Sequence, residues 1–220
     1  MERLKLKLRK AVSALVIAAM VWSLSPAVYA AGTDSVTTLP SVQSSVSGSG
    51  SYTLTEASRF YIVSDTDPNG TETADYVQLL NAEFAAKGIP TSKVLPIVWG
   101  TAENAQDGDI IIAESGSGEG YTLEITSSSA TVTASPEGIF YGLRTLLKGF
   151  SAAGTTLPAC TIEDAPEVDN RILLLDCGRK YFSKDWICAL IKDMSWVGYN
   201  QLMLGIGNDG HIGFNEPNEA

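Results

Sequence analysis

The sequence predicts an α+β domain followed by the truncated start of a (β/α)8 barrel, and three observations predict it. Between residues 52 and 165, strand-like segments alternate with two amphipathic helical segments, the pattern of a sheet covered by helices. From Pro166 the pattern changes to an apolar strand, a capped helix and a second strand, a β-α-β unit that implies parallel pairing in a larger α/β fold. Residues 166–220 number only 55, whereas such a barrel takes about 250. The second unit therefore reads as cut short.

The elements follow in order. Arg3, Lys5, Lys7, Arg9 and Lys10 precede the apolar run AVSALVIAAMVWSLSPAV, which closes on Val28-Tyr29-Ala30 with small residues where a signal peptidase needs them. Residues 1–30 thus read as a secretory signal cleaved after Ala30. The unbroken apolar part, Ala14 to Trp22, is shorter than the roughly 20 residues of a membrane span. The expectation is a secreted or cell-surface protein with no stable membrane span after cleavage. Residues 31–51, ending in SSVSGSGS, read as a flexible leader, with order starting near Tyr52.

RFYIVS (59–64) has strand composition, and DTDPNG closes it with turn residues. TETADYVQLLNAEFAAKG sets Tyr76, Leu79, Leu80 and Phe84 on one helical face, with Thr71 or Thr73 as N-cap and Gly88 as the stop. VLPIVW and GDIIIAES are strands, the second with a buried centre at Ile110, Ile111 and Ile112. YTLEIT and ATVTAS alternate apolar with polar residues across a short SSS connection, a hairpin. PEGIFYGLRTLLKGF places Ile139, Leu143, Leu146 and Leu147 on a second helix face. Beyond Pro166, NRILLLDCG is a strand, and Ser183 caps a helix whose stripe is Trp186, Ile187, Leu190, Ile191, Met194 and Val197. QLMLGIG is the next strand.

Composition narrows the function classes. The chain carries 15 basic and 25 acidic residues; losing residues 1–30 removes five basic and one acidic, which takes the formal charge from −10 to −14. That balance disfavours nucleic acid, whose binding relies on Lys and Arg neutralising phosphates. Cys160, Cys177 and Cys188 form no disulfide framework and no metal-ligand spacing. All three are expected to be small buried apolar residues, and neither a metal nor a cofactor is expected.

Two stretches together resemble the family 20 glycoside hydrolases, exported β-N-acetylhexosaminidases that release terminal N-acetylhexosamines. The first is EGIFYGLRTLLKGF followed by LPACTIEDAPEVDNR, and the second is RILLLDCGRKYFSKDWICALIKDMSWVGYNQL. They carry a Tyr-Gly-x-x-Thr-Leu helix, an Ile-x-Asp-x-Pro segment, an Arg-x-x-Leu-Leu-Asp strand and a Phe-Ser helix start, in that order. The resemblance implies an accessory α+β domain over 52–165, a barrel start over 166–203, and glycans bearing N-acetylhexosamine as partners. It also implies that Arg171 binds sugar hydroxyls, a role that suits a guanidinium's fixed fork of donors; a lone arginine otherwise reads as a surface or ion-pair residue. Asp176 and Arg179 lie at the strand's far end, where barrel active sites are built, and a structural ion pair accounts for them equally. The implied mechanism is substrate-assisted: the acetamido oxygen attacks the anomeric carbon while an Asp-Glu pair orients it and protonates the leaving oxygen. No Asp-Glu dipeptide occurs after Pro166, so this chain is expected to be inactive alone.

The tail, residues 204–220, resembles something else. Its GNDGHIGFNEP is similar to the active-site loop of glucosamine-6-phosphate deaminases, which implies His211 as a ring-opening acid/base with Asp209 and Glu216 as carboxylate partners. An exported protein rarely meets a phosphorylated cytosolic sugar, so a fusion or junction near Gly205 to Gly210 is the expectation there. Two alternatives to a hexosaminidase remain: a non-catalytic carbohydrate-contact module over 52–165, and a deaminase-type enzyme.

Overall fold

The computed structural model describes residues 36, 38–178 and 180–206, all within one compact unit. The expected signal sequence, Arg179 and the deaminase-like Asp209, His211 and Glu216 lie outside the described residues.

The body of the molecule is one sheet with two helices on one face. Its elements are β1 (Ser44–Thr53), β2 (Phe60–Val63), α1 (Glu72–Ala86), β3 (Ile97–Gly100), β4 (Ile110–Glu114), β5 (Tyr121–Ile125), β6 (Ala130–Ala134), α2 (Pro136–Ala153) and β7 (Thr156–Asp164). The spatial order is β1-β7-β5-β6-β4-β2-β3. Strands β3, β2, β4 and β6 run parallel, and β6, β5, β7 and β1 run antiparallel, so the sheet is mixed. Alternation decides which face is covered: Leu123 and Val132 are fully buried under the helices, while Glu124 and Thr133 are exposed on the other face. The β5–β6 hairpin turns where Thr126 Oγ1 accepts the backbone N–H groups of Ser128 and Ser129.

Local chemistry explains the helix ends. Thr71 accepts the N–H of Ala74 and Ser135 accepts that of Gly138, so each helix begins on a hydroxyl cap. Pro136 follows Ser135 at the first helical position, where its missing N–H costs nothing. Helix α2 buries Ile139, Leu143, Leu146 and Leu147, the face expected from its spacing. Helix α1 is rotated from the expected face: Val77, Leu80, Asn81 and Phe84 point inward, and Leu79 is 48% exposed. The rotation lets Phe84 meet both Phe60 and Phe150 edge-on, at 5.6 and 6.1 Å, contacts worth about 0.5–1.5 kcal/mol each beyond area burial.

Other expectations need correction. Ser44 to Ser51 is not a leader but most of the edge strand β1, paired antiparallel to β7. An edge strand with both faces near water needs no apolar alternation, and only Tyr52 of β1 is buried. Strand β7, which no expected element covers, is thereby an interior strand of the sheet. Cys160 and Cys177 are buried, but Cys188 is exposed.

The following β8 (Ile172–Asp176), α3 (Lys184–Trp196) and β9 (Gln201–Gly205) form the expected β-α-β unit, with β8 and β9 parallel in a separate two-stranded sheet. Strand β9 runs through Gly205, so a tail starting at residue 204 would cut it. Ser183 caps α3 by accepting the N–H of Trp186. Of the expected stripe on α3, only Met194 is buried; Trp186 and Ile191 are 45% and 47% exposed, and Leu174 of β8 is 65% exposed. Two parallel strands and one helix do not cover both faces of a sheet. Among the described residues after Pro166 there is one β-α-β unit, fewer than a barrel contains.

Candidate functional site

The residues that carry chemistry gather where the β-α-β unit meets the seven-stranded body. Arg171 stands immediately before β8, at the strand's N-terminal end. Its Nη1 and Nη2 donate to Glu119 Oε2 and Oε1 at 2.8 and 2.9 Å, a two-pronged ion pair. Nη2 also donates to the Tyr141 hydroxyl at 2.8 Å, Nη1 to Val168 O at 2.6 Å, and Nε to Gly198 O at 2.6 Å. A guanidinium has five N–H groups, and each of these acceptors takes one. Arg171 as found is a tie between Glu119 on the β4–β5 loop, Tyr141 on α2 and the turn after α3.

Glu119 gathers the rest of the network. It accepts from Tyr141 at 3.0 Å and from Asn200 Nδ2 at 3.4 Å. Asn200 in turn accepts the Arg171 N–H at 3.0 Å and donates to Asp169 O at 2.7 Å. Hydrogen bonds from Arg171 hold the Glu119 carboxyl below its ordinary pKa, against the opposing pull of partial burial. Burial foremost, then the Glu119 bond, pushes the Tyr141 phenol up. This is a locked charge pair, stable at neutral pH.

A second junction lies one turn further along α2. Arg144, 3% exposed, is paired with Glu83 of α1 through both Nη atoms and donates from Nη2 to Ser195 Oγ of α3 at 2.9 Å. Trp196 of α3 lies under Lys87 Nζ at 4.2 Å and beside the Arg144 guanidinium at 5.7 Å, cation–π contacts that fix the end of α3 on the helical layer. Between α2, the end of β7 and the end of α3 is a cavity of about 360 Å³, lined by Tyr121, Arg144, Lys148, Asp164 and Ser195 among others.

The motif residues quoted from the sequence mostly serve these junctions. In the Tyr-Gly-x-x-Thr-Leu helix, Tyr141 bonds Glu119 and Arg171, Gly142 lies on the sheet, and Thr145 shares a hydrogen bond of 2.6 Å with the Tyr121 hydroxyl. In the Ile-x-Asp-x-Pro segment, Asp164 accepts from the Tyr121 hydroxyl at 2.9 Å and from the Gln43 N–H at 3.1 Å. Asp176, at the C-terminal end of β8, is exposed and accepts the Gly178 N–H at 2.9 Å. Arg171 and Asp176 therefore lie at opposite ends of one strand. Glu119 and Lys148 were not anticipated, because no local pattern marks an acid in a Gly/Ser loop or a lysine on an otherwise apolar helix. No group of residues suited to a metal ion occurs among the described residues, and no helix among them is long and apolar enough to cross a membrane.

A family model described as glycosyl hydrolase family 20, domain 2, matches residues 35–165. Among curated proteins, a beta-hexosaminidase of Vibrio vulnificus is 29% identical over 150 residues, which cover 67% of this chain and 16% of that protein. A lacto-N-biosidase of Bifidobacterium bifidum is 27% identical over 171 residues, 76% of this chain and 14% of that protein. Among solved structures, a family 20 beta-N-acetylhexosaminidase from Streptomyces coelicolor A3(2) superposes with a TM-score of 0.63 at 24% identity, covering 78% of this chain and 35% of that one. The N-acetyl-beta-hexosaminidase of Streptomyces plicatus does so with a TM-score of 0.60 at 24% identity, covering 78% and 34%. The chain thus spans a small part of the length of the curated relatives it matches.

Proposed function

Because the chain belongs to glycosyl hydrolase family 20 through its domain 2, we propose that it is the front portion of an exported β-N-acetylhexosaminidase hydrolysing terminal N-acetylhexosamine residues of glycans by substrate-assisted catalysis. The observation that carries this reading is the parallel β8–α3–β9 unit held directly on the domain-2 body by Arg171. Its exposed apolar residues, Leu174, Ile191 and Met203 among them, are what the first repeat of a barrel offers to later strands and helices. In the proposed reaction the substrate's acetamido oxygen attacks the anomeric carbon, a glutamic acid protonates the leaving oxygen, and the preceding aspartate orients the acetamido group. Residues 166–220 contain no Asp-Glu dipeptide, so the 220 residues alone lack the acid and its partner. Arg171 serves a sugar in this scheme only by exchange, a hydroxyl taking over a donor now given to Val168 O.

The test is nitrophenol release from a nitrophenyl N-acetyl-β-glucosaminide. The purified 220-residue chain is expected to give none above the blank, and a chain extended through the downstream reading frame to an Asp-Glu motif is expected to give it. Release by the 220 residues that Arg171→Ala abolishes would overturn the inactivity, and silence from the extended chain would overturn the hexosaminidase reading.

A further inference from the structure

The cavity beside α2 holds a cation without a hydrogen-bond or ion-pair partner among the described residues. Lys148 stands one turn after Arg144 on α2 and lines the cavity with it. Its ammonium makes no hydrogen bond or ion pair among the described residues; it lies 6.0 Å from the centroid of the Trp196 ring. The neighbouring acid, Asp164, accepts from the Tyr121 hydroxyl and the Gln43 N–H and acts on Lys148 through its charge, without a hydrogen bond or ion pair to it among the described residues. Arg144 is engaged through Nη1 and Nη2, but its Nε–H, fully buried, has no acceptor. Unpaired buried donors are rare in native proteins, and Lys148, partly buried, loses some of its hydration without gaining a partner among the described residues. Burial foremost, then the charge of Arg144, lowers the Lys148 pKa to about 8, against the pull of Asp164. Two cations one turn apart, short of acceptors, share the wall of a cavity of about 360 Å³, within the usual range for small-ligand pockets.

We propose that this cavity binds an oxyanion carried on a monosaccharide-sized ligand, its carboxylate, sulfate or phosphate received by the Lys148 ammonium and its charge balanced against Arg144. Tyr121 and Thr145 line the same cavity, their hydroxyls bonded to each other at 2.6 Å and that of Tyr121 also to Asp164, so a sugar hydroxyl meets them only through remaining lone pairs. An anion there relieves the Arg144–Lys148 repulsion and supplies the acceptor that Lys148 lacks. The cavity wall includes Arg171 and Tyr141 of the Glu119 network, but the anion's proposed partner is Lys148, which lies outside that network, and the test does not depend on hydrolysis.

Calorimetric titration of the full 220-residue chain at neutral pH with glucuronate, inorganic phosphate and neutral glucose tests it. Glucuronate is expected to bind at least about tenfold more tightly than glucose, a difference of about 1.4 kcal/mol, with phosphate also binding. Lys148→Met is expected to remove the advantage while circular dichroism and the unfolding midpoint stay unchanged. The titratable groups that share the cavity wall with Lys148 are Arg144 and Tyr141 on α2, Tyr121 on β5, Asp164 on β7, the exposed Glu167 and Arg171, of which Arg144 and Asp164 act on its charge; α3 contributes no titratable side chain to the wall. Burial raises Tyr121 and Tyr141, so the glucuronate advantage is expected to fade as pH rises through the Lys148 value of about 8. Phosphate binding without glucuronate binding would assign the site to free phosphate and overturn the sugar-borne ligand. Equal binding of glucose and glucuronate, unchanged binding by Lys148→Met, or no anion binding would overturn the proposal outright.

Discussion

At the scale of single residues, buried polar groups hold this molecule together in pairs. Asn81, 2% exposed, uses its whole amide on one partner: Nδ2 donates to Leu95 O at 2.8 Å and Oδ1 accepts the Leu95 N–H at 2.9 Å. Asn81→Leu leaves both backbone groups unpaired and is expected to cost about 2–4 kcal/mol, read from the shift of a urea unfolding curve. Glu119 sets a pH dependence. Its pKa is depressed by Arg171 in the folded state, so its contribution is present above the ordinary carboxylate range and is lost as pH falls through its depressed value. Glu119→Gln is therefore expected to destabilise the chain at pH 7 and to flatten the acid limb of its stability curve; an acid limb unchanged by the substitution would count against the lock. Neither role was legible in the sequence. The Arg171 partner lies 52 residues upstream, and a lone acid between glycines has no periodicity to betray it. Tyr141 was visible as a motif letter, but only the folded chain brings its hydroxyl between Glu119 and Arg171.

Elements were legible where burial imposes a period and obscure where it does not. The face of α2 could be read because Ile139, Leu143, Leu146 and Leu147 all point into one core. Strand β1 could not, since serines and glycines at a sheet edge carry no apolar alternation. A chain starting at Tyr52 is accordingly expected to lose at least about 2 kcal/mol, from the buried Val36 and the lost β1–β7 hydrogen bonds, and to aggregate through the uncovered β7 edge. Denaturant curves and light scattering of the two lengths check this, and equal stability would restore the leader reading. Helix α2 makes a narrower demand. A Cβ added at Gly142 would lie 2.5 Å from Val132 Cγ1 and 3.2 Å from the Tyr121 ring, so the close approach of α2 to the sheet here needs a position with no side chain. Gly142→Ala is expected to cost about 1–3 kcal/mol through overpacking, despite alanine's better helix propensity; a gain in thermal midpoint would show the contact to be slack.

For the whole molecule, the proposed export and the order of the elements make separate predictions. If residues 1–30 direct export, the secreted form begins at Ala31 and carries a formal charge of −14; N-terminal sequencing of protein recovered from culture medium is expected to read Ala31-Gly32-Thr33, and retention of Met1 would refute cleavage. The sheet body occupies residues 44–164, all upstream of Arg171. In a chain synthesised from its N-terminus, every strand of that sheet, with Glu119 and Tyr141, therefore emerges before Arg171. If the proposed barrel follows, the lock at Arg171 acts as a mould, catching its first strand at a set height and orientation as it emerges. On that view the sheet body is an internal chaperone for whatever is built upon β8, and breaking the lock would harm the yield of assembled protein more than the finished product.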